Sequence, residues 1–425
     1  MDRTLRLVVL AGLVWAAVAL DMGVISFSLG AISGEFSLSR AQQAVLASST
    51  LIGMLLGASS SGLLGDRYGR TRMATIYALL HSAATALGAF APSYESVVLD
   101  RVLVGVGLGG VLPLVSSLVA ELSRPERRGR NVAFLESFWA WGWLAAVLAS
   151  WAVQPGMGWR AYMAAAGAFS ALLNMALLVL PESPRYLVSA GLRAEAERIV
   201  EKYGVTLPRI AERRLGVGEQ LGLLLGGGMW RITLPLWVTW FIITMGYYGI
   251  FIWFPKLVAQ KGAELGFGAI QSFIKRNFYP YLVLVTLFQL PGYYSAVFLV
   301  DRVGRKPVLA GYLAGVAVSA YFYSGASSLA GFLAWGVVLN FFDLGAWAAL
   351  YVYTPEQYPT QVRATGSGWA ASWGRVGGII GPYLVPYLGG WERVFAFFAA
   401  IHLVGAAAAA AGREMMGREM PEIEE

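Results

Sequence analysis

The stretch from Leu7 to Gly34 is long enough to cross a lipid bilayer, and Asp21 is its only charged residue. A helix rises 1.5 Å per residue, so crossing about 30 Å of hydrocarbon takes about 20 apolar residues. Similar apolar blocks recur along the 425 residues, of which 57% are hydrophobic and 13% charged. A soluble domain is usually about a quarter charged. The sequence therefore predicts an all-α, polytopic membrane protein.

Lys and Arg concentrate at the N-terminus and in alternate loops, of which 66–72, 123–130 and 301–307 are the clearest. The positive-inside rule then places both termini in the cytoplasm. It also explains the net charge of +7 without nucleic-acid binding. The pattern predicts twelve transmembrane helices in two six-helix bundles, at 7–31, 41–64, 73–91, 96–121, 131–153, 160–180, 232–258, 278–300, 307–325, 329–354, 363–388 and 391–412.

The predicted organisation has four parts. They are a first bundle over 1–180, a cytoplasmic linker with an amphipathic helix over 181–231, a second bundle over 232–412 and a cytoplasmic tail over 413–425. In the linker, Leu192, Ala196 and Ile199 recur at helical spacing among charged residues, which favours a helix at a membrane surface.

The sequence contains no pattern typical of an enzyme or a cofactor site. It has no cysteine, and its two histidines, His81 and His402, are far apart in sequence. For both histidines, packing or an interfacial position is favoured over a metal site or a proton relay. We therefore predict no enzymatic activity, no metal and no cofactor.

Three features repeat at one offset of 235 positions: Asp66 and Asp301, Glu121 and Glu356, and Arg128 and Arg363. A shared period indicates a duplicated six-helix unit in parallel orientation. This is the organisation of transporters whose halves rock about a site near the bilayer midplane.

Several segments resemble the major facilitator superfamily, and the resemblance extends over the whole chain. GLLGDRYGRTRM resembles its motif between spans 2 and 3, while RVLVGVGLGGVLPLVSSLVAELSRPERRGR and PESPRYL resemble sugar porters and metabolite–proton symporters. NVAFLESFWAWGWLAA, GYYGIFIWFP, FQLPGYYSA and FFDLGAWAALYVYTPEQYPTQVRATGSGWAASWGRVGGIIGP resemble niacin-transporter-like proteins. That branch is related to organic ion transporters and to synaptic vesicle glycoprotein 2. The resemblance implies a transporter with the major facilitator fold.

Charged residues at the span ends predict a latch on the cytoplasmic face. Topology alone needs any positive charge, whereas here an Asp-Arg-x-Gly-Arg order is repeated. Ion pairs between helix ends can hold one face shut in one state and release it in another. Glu182 and Arg185 are added because PESPR resembles the sugar-porter latch. The other expected gate residues are Asp66, Arg67, Arg70, Glu121, Arg128, Glu136, Asp301, Arg302, Arg305, Glu356 and Arg363.

A charge near the middle of a bilayer costs about 2.5–3.5 kcal/mol, so Asp21 needs a partner or a cavity. Counting helix rise places Asp21 about 21 Å above the inner end of span 1 and Arg101 about 7–8 Å below the outer end of span 4, heights that agree within a turn. Separating such a pair would favour protonation of the carboxyl group. The resemblance of DMGVIS and DRVLVGVG to proton-coupled sugar porters implies the same role. A static pair is the alternative, and Asp100 competes for Arg101.

Arg375 lies near the centre of span 11, where a guanidinium group needs an anion as its partner. Two anions are candidates: Asp343 of span 10, which would leave a site for a neutral or cationic solute, or a substrate carboxylate. The resemblance to organic anion transporters with an arginine in this span favours the substrate.

Tryptophan and tyrosine usually favour the membrane interfaces, but here several lie within spans. Such rings can sandwich a flat aromatic ligand, and Gln289 can orient that ligand or bond another helix. Trp143 and the GYYG sequence stand where sugar porters have amide side chains, which argues against a hexose. The expected substrate contacts besides Arg375 and Asp343 are Trp139, Trp143, Tyr247, Tyr248, Trp347 and Gln289.

The sequence thus predicts a proton-coupled symporter of a small organic anion, plausibly a nicotinate-like aromatic carboxylate. It is expected to work as a monomer in the cell membrane by alternating access. The alternatives are a carrier of a neutral or cationic solute or a sugar, an exporter, and a receptor or scaffold with a transport fold. The Asp21–Arg101 pair argues against a scaffold, because a scaffold needs no titratable acid in the membrane.

Overall fold

The computed structural model describes residues 3–207, 217–264, 269–359 and 362–416, and in these ranges the chain is helical with short connections. The apolar blocks form helices because hydrocarbon offers no partner to a free backbone N–H or C=O group. The residues beyond 416 in the predicted tail and residues 208–216 of the predicted linker lie outside the described ranges.

The chain divides into two compact units. The first unit comprises residues Met1–Leu38 and Val45–Arg213, the second Ser39–Ala44 and Arg214–Glu425. The first seven α-helices are α1 (Arg3–Glu35), α2 (Arg40–Tyr68), α3 (Arg70–Leu87), α4 (Tyr94–Glu121), α5 (Pro125–Asn174), α6 (Pro184–Ser189) and α7 (Arg193–Tyr203). In α7, Ala196 and Val200 are buried and the charged face is exposed.

The remaining eight helices are α8 (Val217–Leu225), α9 (Trp230–Glu264), α10 (Ala269–Leu287), α11 (Gln289–Val300), α12 (Arg305–Ser324), α13 (Leu329–Glu356), α14 (Arg363–Leu388) and α15 (Trp391–Ala411). The predicted span 8 is built from the end of α10 and all of α11.

The helices confirm the predicted fold class. In the described ranges, ten helical segments are long and apolar enough to cross a membrane. One of them, Glu126–Val179, breaks at Gly158, where φ is 78°, and so supplies two spans. Helix α14 completes the count as the twelfth span, although its glycines, its serines and Arg375 lower its hydropathy. The result is twelve spans in two six-helix bundles, the major facilitator fold.

The repeat found in the sequence recurs in the packing of the helices. In the first bundle Gly57 lies against the backbone carbonyl of Val106, and in the second Gly292 lies against that of Phe341. A hydroxyl pair repeats in the same way, with Ser60 Oγ 2.7 Å from Tyr77 Oη and Ser295 Oγ 2.8 Å from Tyr312 Oη. Each contact recurs 235 positions later, so the two bundles are copies of one packing scheme.

Replacing Gly292 by alanine is expected to lower the thermal unfolding temperature of the purified protein in detergent. The new Cβ would meet the Phe341 carbonyl, which is backbone and cannot turn away. Overpacking of this kind costs about 1–3 kcal/mol. Gly311→Ala is the matched control, because a Cβ there meets open space. Equal unfolding temperatures for the two variants would contradict close packing of α11 on α13.

Candidate functional site

Arg70 is the centre of a charged cluster at the end of the first bundle where α2 meets α3. Its Nη1 contacts Glu121 Oε1, and its Nη2 lies 3.4 Å from Asp66 Oδ1. Ser183 Oγ donates to the other Glu121 oxygen at 2.5 Å. The cluster therefore ties the ends of α2, α3 and α4 to the segment that follows the sixth span.

Glu182 contributes to this cluster in a way that the sequence does not indicate. Its carboxylate accepts from the backbone N–H groups at the start of α3, at 2.8 Å from Arg70, 3.0 Å from Thr71 and 3.2 Å from Arg72. A carboxylate is favoured there because the first N–H groups of a helix have no partner within it. Gly69 makes room for it, with a φ of 102° and no side chain to meet Glu182 Oε2.

The second bundle repeats this cluster around Arg305. Its Nε lies 3.0 Å from Glu356 Oε2 and its Nη2 lies 3.2 Å from Asp301 Oδ1. Gly304, with a φ of 113°, leaves room for the carboxylate of Glu414. That carboxylate accepts from the backbone N–H groups of Arg305 at 3.2 Å and Lys306 at 2.8 Å. Glu414 thus plays at α12 the part that Glu182 plays at α3.

The remaining predicted gate residues take other positions. Among the described residues, Arg67, Arg128, Arg185 and Arg302 are exposed and form no ion pair with a carboxylate, and Arg302 stacks on Phe298. Arg363 Nε donates to the Pro355 carbonyl at 3.0 Å. Glu136 is buried within α5.

Asp21 lies in the middle of α1 and is fully buried. Its Oδ2 atom lies 2.6 Å from His81 Nδ1 on α3 and accepts from Ser170 Oγ on α5 at 3.0 Å. The predicted ion pair with Arg101 is not formed in this structure. The heights counted from helix rise agree, but α3 and α5 present polar groups directly to this face of α1.

Arg101 is also fully buried, and it pairs with its own neighbour in the sequence. Its Nε and Nη2 atoms donate to Asp100 Oδ2 at 2.9 and 2.7 Å. Its Nη1 atom and the Oδ1 atom of Asp21 are both buried without a hydrogen-bond partner in the described ranges. The first bundle therefore holds two polar pairs, each with one atom unsatisfied.

In the second bundle, Asp343 lies in the middle of α13, fully buried, and neither of its oxygens has a hydrogen-bond partner among the described residues. One turn away, Asn340 accepts from Gln289 Nε2 of α11 at 3.0 Å. Gln289 therefore bonds another helix, the second of the two roles considered for it.

Arg375 is half-buried in α14, and no carboxylate in the described part of the chain forms an ion pair with it. The Asp343–Arg375 pair, one of the two alternatives considered for Arg375, is thus not formed among the described residues. Tyr248 and Tyr351 lie close enough to Arg375 to interact with it electrostatically. Both tyrosines also contact Trp347, with ring centroids 6.5 and 5.8 Å from it.

The predicted aromatic contacts fall into two groups, one in each unit. Tyr247 lies 5.8 Å from Trp347 by ring centroids and joins the group beside Arg375. Trp240, which the sequence does not single out, completes that group at 5.9 Å from Trp347. Trp139 and Trp143 belong to the first unit, where Trp143 lies 6.3 Å from Phe27.

Comparison with known proteins identifies the family. The model of the family described as sugar (and other) transporter matches residues 12–424. The chain belongs to this family of transporters.

Two curated relatives of this transporter are named for niacin. The niacin transporter NiaP of Acinetobacter baylyi is 39% identical over 97% of this chain and 94% of its own. The putative niacin/nicotinamide transporter NiaP of Bacillus subtilis is 40% identical over 99% of this chain and 97% of its own. Among solved structures, the inward-open xylose transporter XylE of Escherichia coli covers 98% of both chains with a TM-score of 0.77 and 20% identity, a likeness that concerns the fold.

These findings confirm several predictions. The transporter belongs to the branch that the motifs resemble, spans the membrane many times, carries a small-molecule substrate and is not an enzyme. The sequence favours packing for His81 and does not single out Glu414. A titratable residue within a span is by itself grounds for a functional hypothesis, and this rule would have favoured a polar role for His81. Glu414 gives no such indication because nothing in the sequence ties it to Gly304.

Replacing Glu414 by glutamine is expected to destabilise the transporter by about 0.3–1 kcal/mol, because a charge at a helix N-terminus is lost. Burial disfavours the charged form of Glu414, but the backbone N–H groups of Met416, Lys306 and Arg305 outweigh it and lower the pKa of the carboxyl. A lowered pKa stabilises the fold above the ordinary glutamate range, and this contribution is lost as the pH falls through the folded pKa.

The measurement is thermal unfolding of the wild type and of Glu414→Gln at pH 7 and at pH 4 or below. The difference between the two proteins should be largest at pH 7 and should shrink in acid. Glu197→Gln serves as the control, since Glu197 lies on the exposed face of α7 and pairs with exposed Arg193. A pH-independent difference would rule out the capping role.

Proposed function

We propose that this transporter imports a small aromatic carboxylate of the nicotinate type together with a proton, by alternating access. The observation that supports this most directly is Arg375, a half-buried guanidinium group in the middle of a membrane helix with no carboxylate partner in the described ranges. A buried charge without a partner is costly. A substrate carboxylate would supply that partner, and arginine can hold it through two parallel hydrogen bonds.

The surroundings of Arg375 suit a flat ring. Tyr247, Tyr248, Trp347 and Tyr351 are clustered beside it on α9 and α13, with mostly edge-to-face contacts among their rings. Aromatic side chains bind flat ligands through ring contacts worth about 0.5–1.5 kcal/mol each beyond the area that they bury. The indole N–H of Trp347 is buried with no hydrogen-bond partner in the described part of the chain. It is available to a ring nitrogen or an oxygen of a ligand.

The names of the relatives support the same substrate class, since two proteins about 40% identical over nearly the whole chain are named for niacin. Niacin is an aromatic carboxylate, which matches a site made of one guanidinium group and several rings. We place the transporter in the cell membrane with both termini in the cytoplasm, following its basic loops. We further propose that it works as a monomer.

We assign the coupling proton to Asp21, with Arg101 as the neighbouring cation. Asp21 is fully buried in a membrane helix, and its Oδ1 has no hydrogen-bond partner among the described residues. Arg101 is held by Asp100, so the arginine is not committed to neutralising Asp21. The unsatisfied Oδ1 is an oxygen at which a proton can bind.

Asp343 favours a second candidate, a neutral amide such as nicotinamide. Its two buried oxygens have no hydrogen-bond partner in the described ranges, and an amide N–H₂ group would provide one. The relative from Bacillus subtilis is named for both niacin and nicotinamide. Uptake of nicotinate and nicotinamide by the same liposomes distinguishes the two candidates.

Replacing Arg375 by alanine is expected to raise the KM for nicotinate uptake into proteoliposomes by at least about tenfold. The reason is the loss of a charge-assisted hydrogen bond worth about 1.5–3 kcal/mol. Nicotinamide, which has no charge, should lose far less. Arg193→Ala, an exposed change on α7, is the control and should match the wild type. Equal losses for acid and amide would make Arg375 a structural arginine.

Replacing Asp21 by asparagine is expected to abolish accumulation of substrate driven by an inward proton gradient. Exchange of labelled for unlabelled substrate across the membrane needs no net proton movement, so it should persist. Both are measured in proteoliposomes with the same substrate panel. Gradient-driven accumulation at the wild-type level would overturn the coupling role of Asp21.

A further inference from the structure

The carboxylate of Asp21 belongs to a closed hydrogen-bond network that extends over α1, α3 and α5. Asp21, His81 and Ser170 are each fully buried. Both hydrogen bonds to the carboxylate reach the same oxygen, Oδ2, from His81 Nδ1 at 2.6 Å and from Ser170 Oγ at 3.0 Å. Among the groups that contact Asp21, the imidazole is the titratable one.

Asn174 closes the network on the far side of the imidazole. Its Nδ2 lies 3.1 Å from His81 Nε2 and 3.0 Å from Ser82 Oγ, and Ser82 Oγ lies 3.1 Å from Ser170 Oγ. An amide nitrogen only donates, so Nε2 accepts. The imidazole is then neutral, carries its proton on Nδ1 and donates it to Asp21. Ser82 donates to Ser170, which donates to Asp21.

The same network accommodates a second protonation state. Turning the Asn174 amide by half a rotation would exchange its nitrogen for Oδ1, which is buried and has no partner in the described part of the chain. Oδ1 would then accept from a protonated Nε2 and from Ser82. A proton taken up at Nε2 turns a carboxylate beside a neutral imidazole into a carboxylate–imidazolium pair, with no net charge in the membrane.

The charges on the neighbouring helices do not compete for this proton. From α4, Asp100 interacts electrostatically with Asp21, and it is paired with Arg101. From α5, the network receives only a hydroxyl group and an amide. The buried carboxylate of Asp21 is thus left with the imidazole as the group able to provide a compensating positive charge.

We propose that the transported proton is held by the Asp21–His81 pair, with Asn174 as the positioning residue that serves both protonation states. This inference rests on the proposed proton coupling and moves its partner from Arg101 to His81. The geometry supports this assignment, because Asp21 Oδ2 and His81 Nδ1 lie 2.6 Å apart and Asn174 can serve either state of His81 Nε2.

The first test needs no substrate. The chain has two histidines, so ¹⁵N-histidine labelling of the protein in lipid nanodiscs gives two imidazoles, and His402→Gln assigns them. We expect His81 to be neutral and protonated on Nδ1 at high pH, and doubly protonated at low pH. Asp21→Asn should move this transition to lower pH by at least about one unit, because the carboxylate stabilises the imidazolium.

The outcomes of this experiment decide the proposal. If His81 stays neutral from pH 4 to pH 9, or titrates identically in Asp21→Asn, the proposal is overturned. The wild-type spectrum alone shows whether His81 stays neutral, even if a variant fails to fold. His402 provides an internal comparison, since its Nδ1 donates to the Phe398 carbonyl at 2.7 Å and no carboxylate among the described residues contacts it.

The second test measures uptake against pH in proteoliposomes. With His81→Gln the pair can no longer form, so the pH at which half of the gradient-driven accumulation is lost should shift by at least about one unit. His402→Gln should keep the wild-type profile. An unchanged profile in His81→Gln overturns the proposal. If the wild type accumulates none of the substrates, the proposed function fails, and the spectra still decide whether the pair binds a proton.

Discussion

The cost of keeping a charge away from water explains how the buried and half-buried ionisable side chains of this transporter are paired. Away from water a charged group needs an opposite charge, a set of N–H donors or a proton. The first two solutions occur among the described residues, since Arg101 pairs with Asp100, while Glu182 and Glu414 accept from N–H groups at helix N-termini. The third is what we propose for the Asp21–His81 pair.

Gene duplication explains why a charged cluster beside a helix N-terminus occurs twice. The clusters around Arg70 and Arg305 share their arginine, their two flanking acids and a glycine with positive φ. The acid that caps the helix does not keep the offset of 235, since Glu182 and Glu414 are 232 positions apart. The two copies therefore share the first N–H groups of α3 and α12, which have no partner within their own helix. A carboxylate from a different position in each copy accepts from them.

The membrane fold was predictable from the sequence, whereas the buried site was predictable only in part. Spans follow from the length of apolar blocks, which is a local property, and the repeat follows from spacing. Helix rise gives an expected height for Asp21, but not the direction in which its side chain points. Arg101 was expected at the same height, yet α3 and α5 present His81 and Ser170 to the face of α1 that carries Asp21. For the same reason the sequence grouped Trp143 with Trp347, whereas the structure places Trp143 beside Phe27 and Trp347 beside Tyr247. Ring contacts depend on which helices are neighbours.

By itself, the sequence determined the number of spans, the duplicated unit, the charged loop motifs and the family. All of these depend on composition and spacing. The length of an apolar block decides whether it spans the bilayer, and the offset of the repeat defines the duplicated unit. Only the tertiary structure decided that Asp21 bonds His81, that Asp343 and Arg375 stay apart, and that Glu414 caps α12. The reason is that a hydrogen bond depends on distances of about 3 Å and on direction, and both are set by how helices rotate and pack against one another.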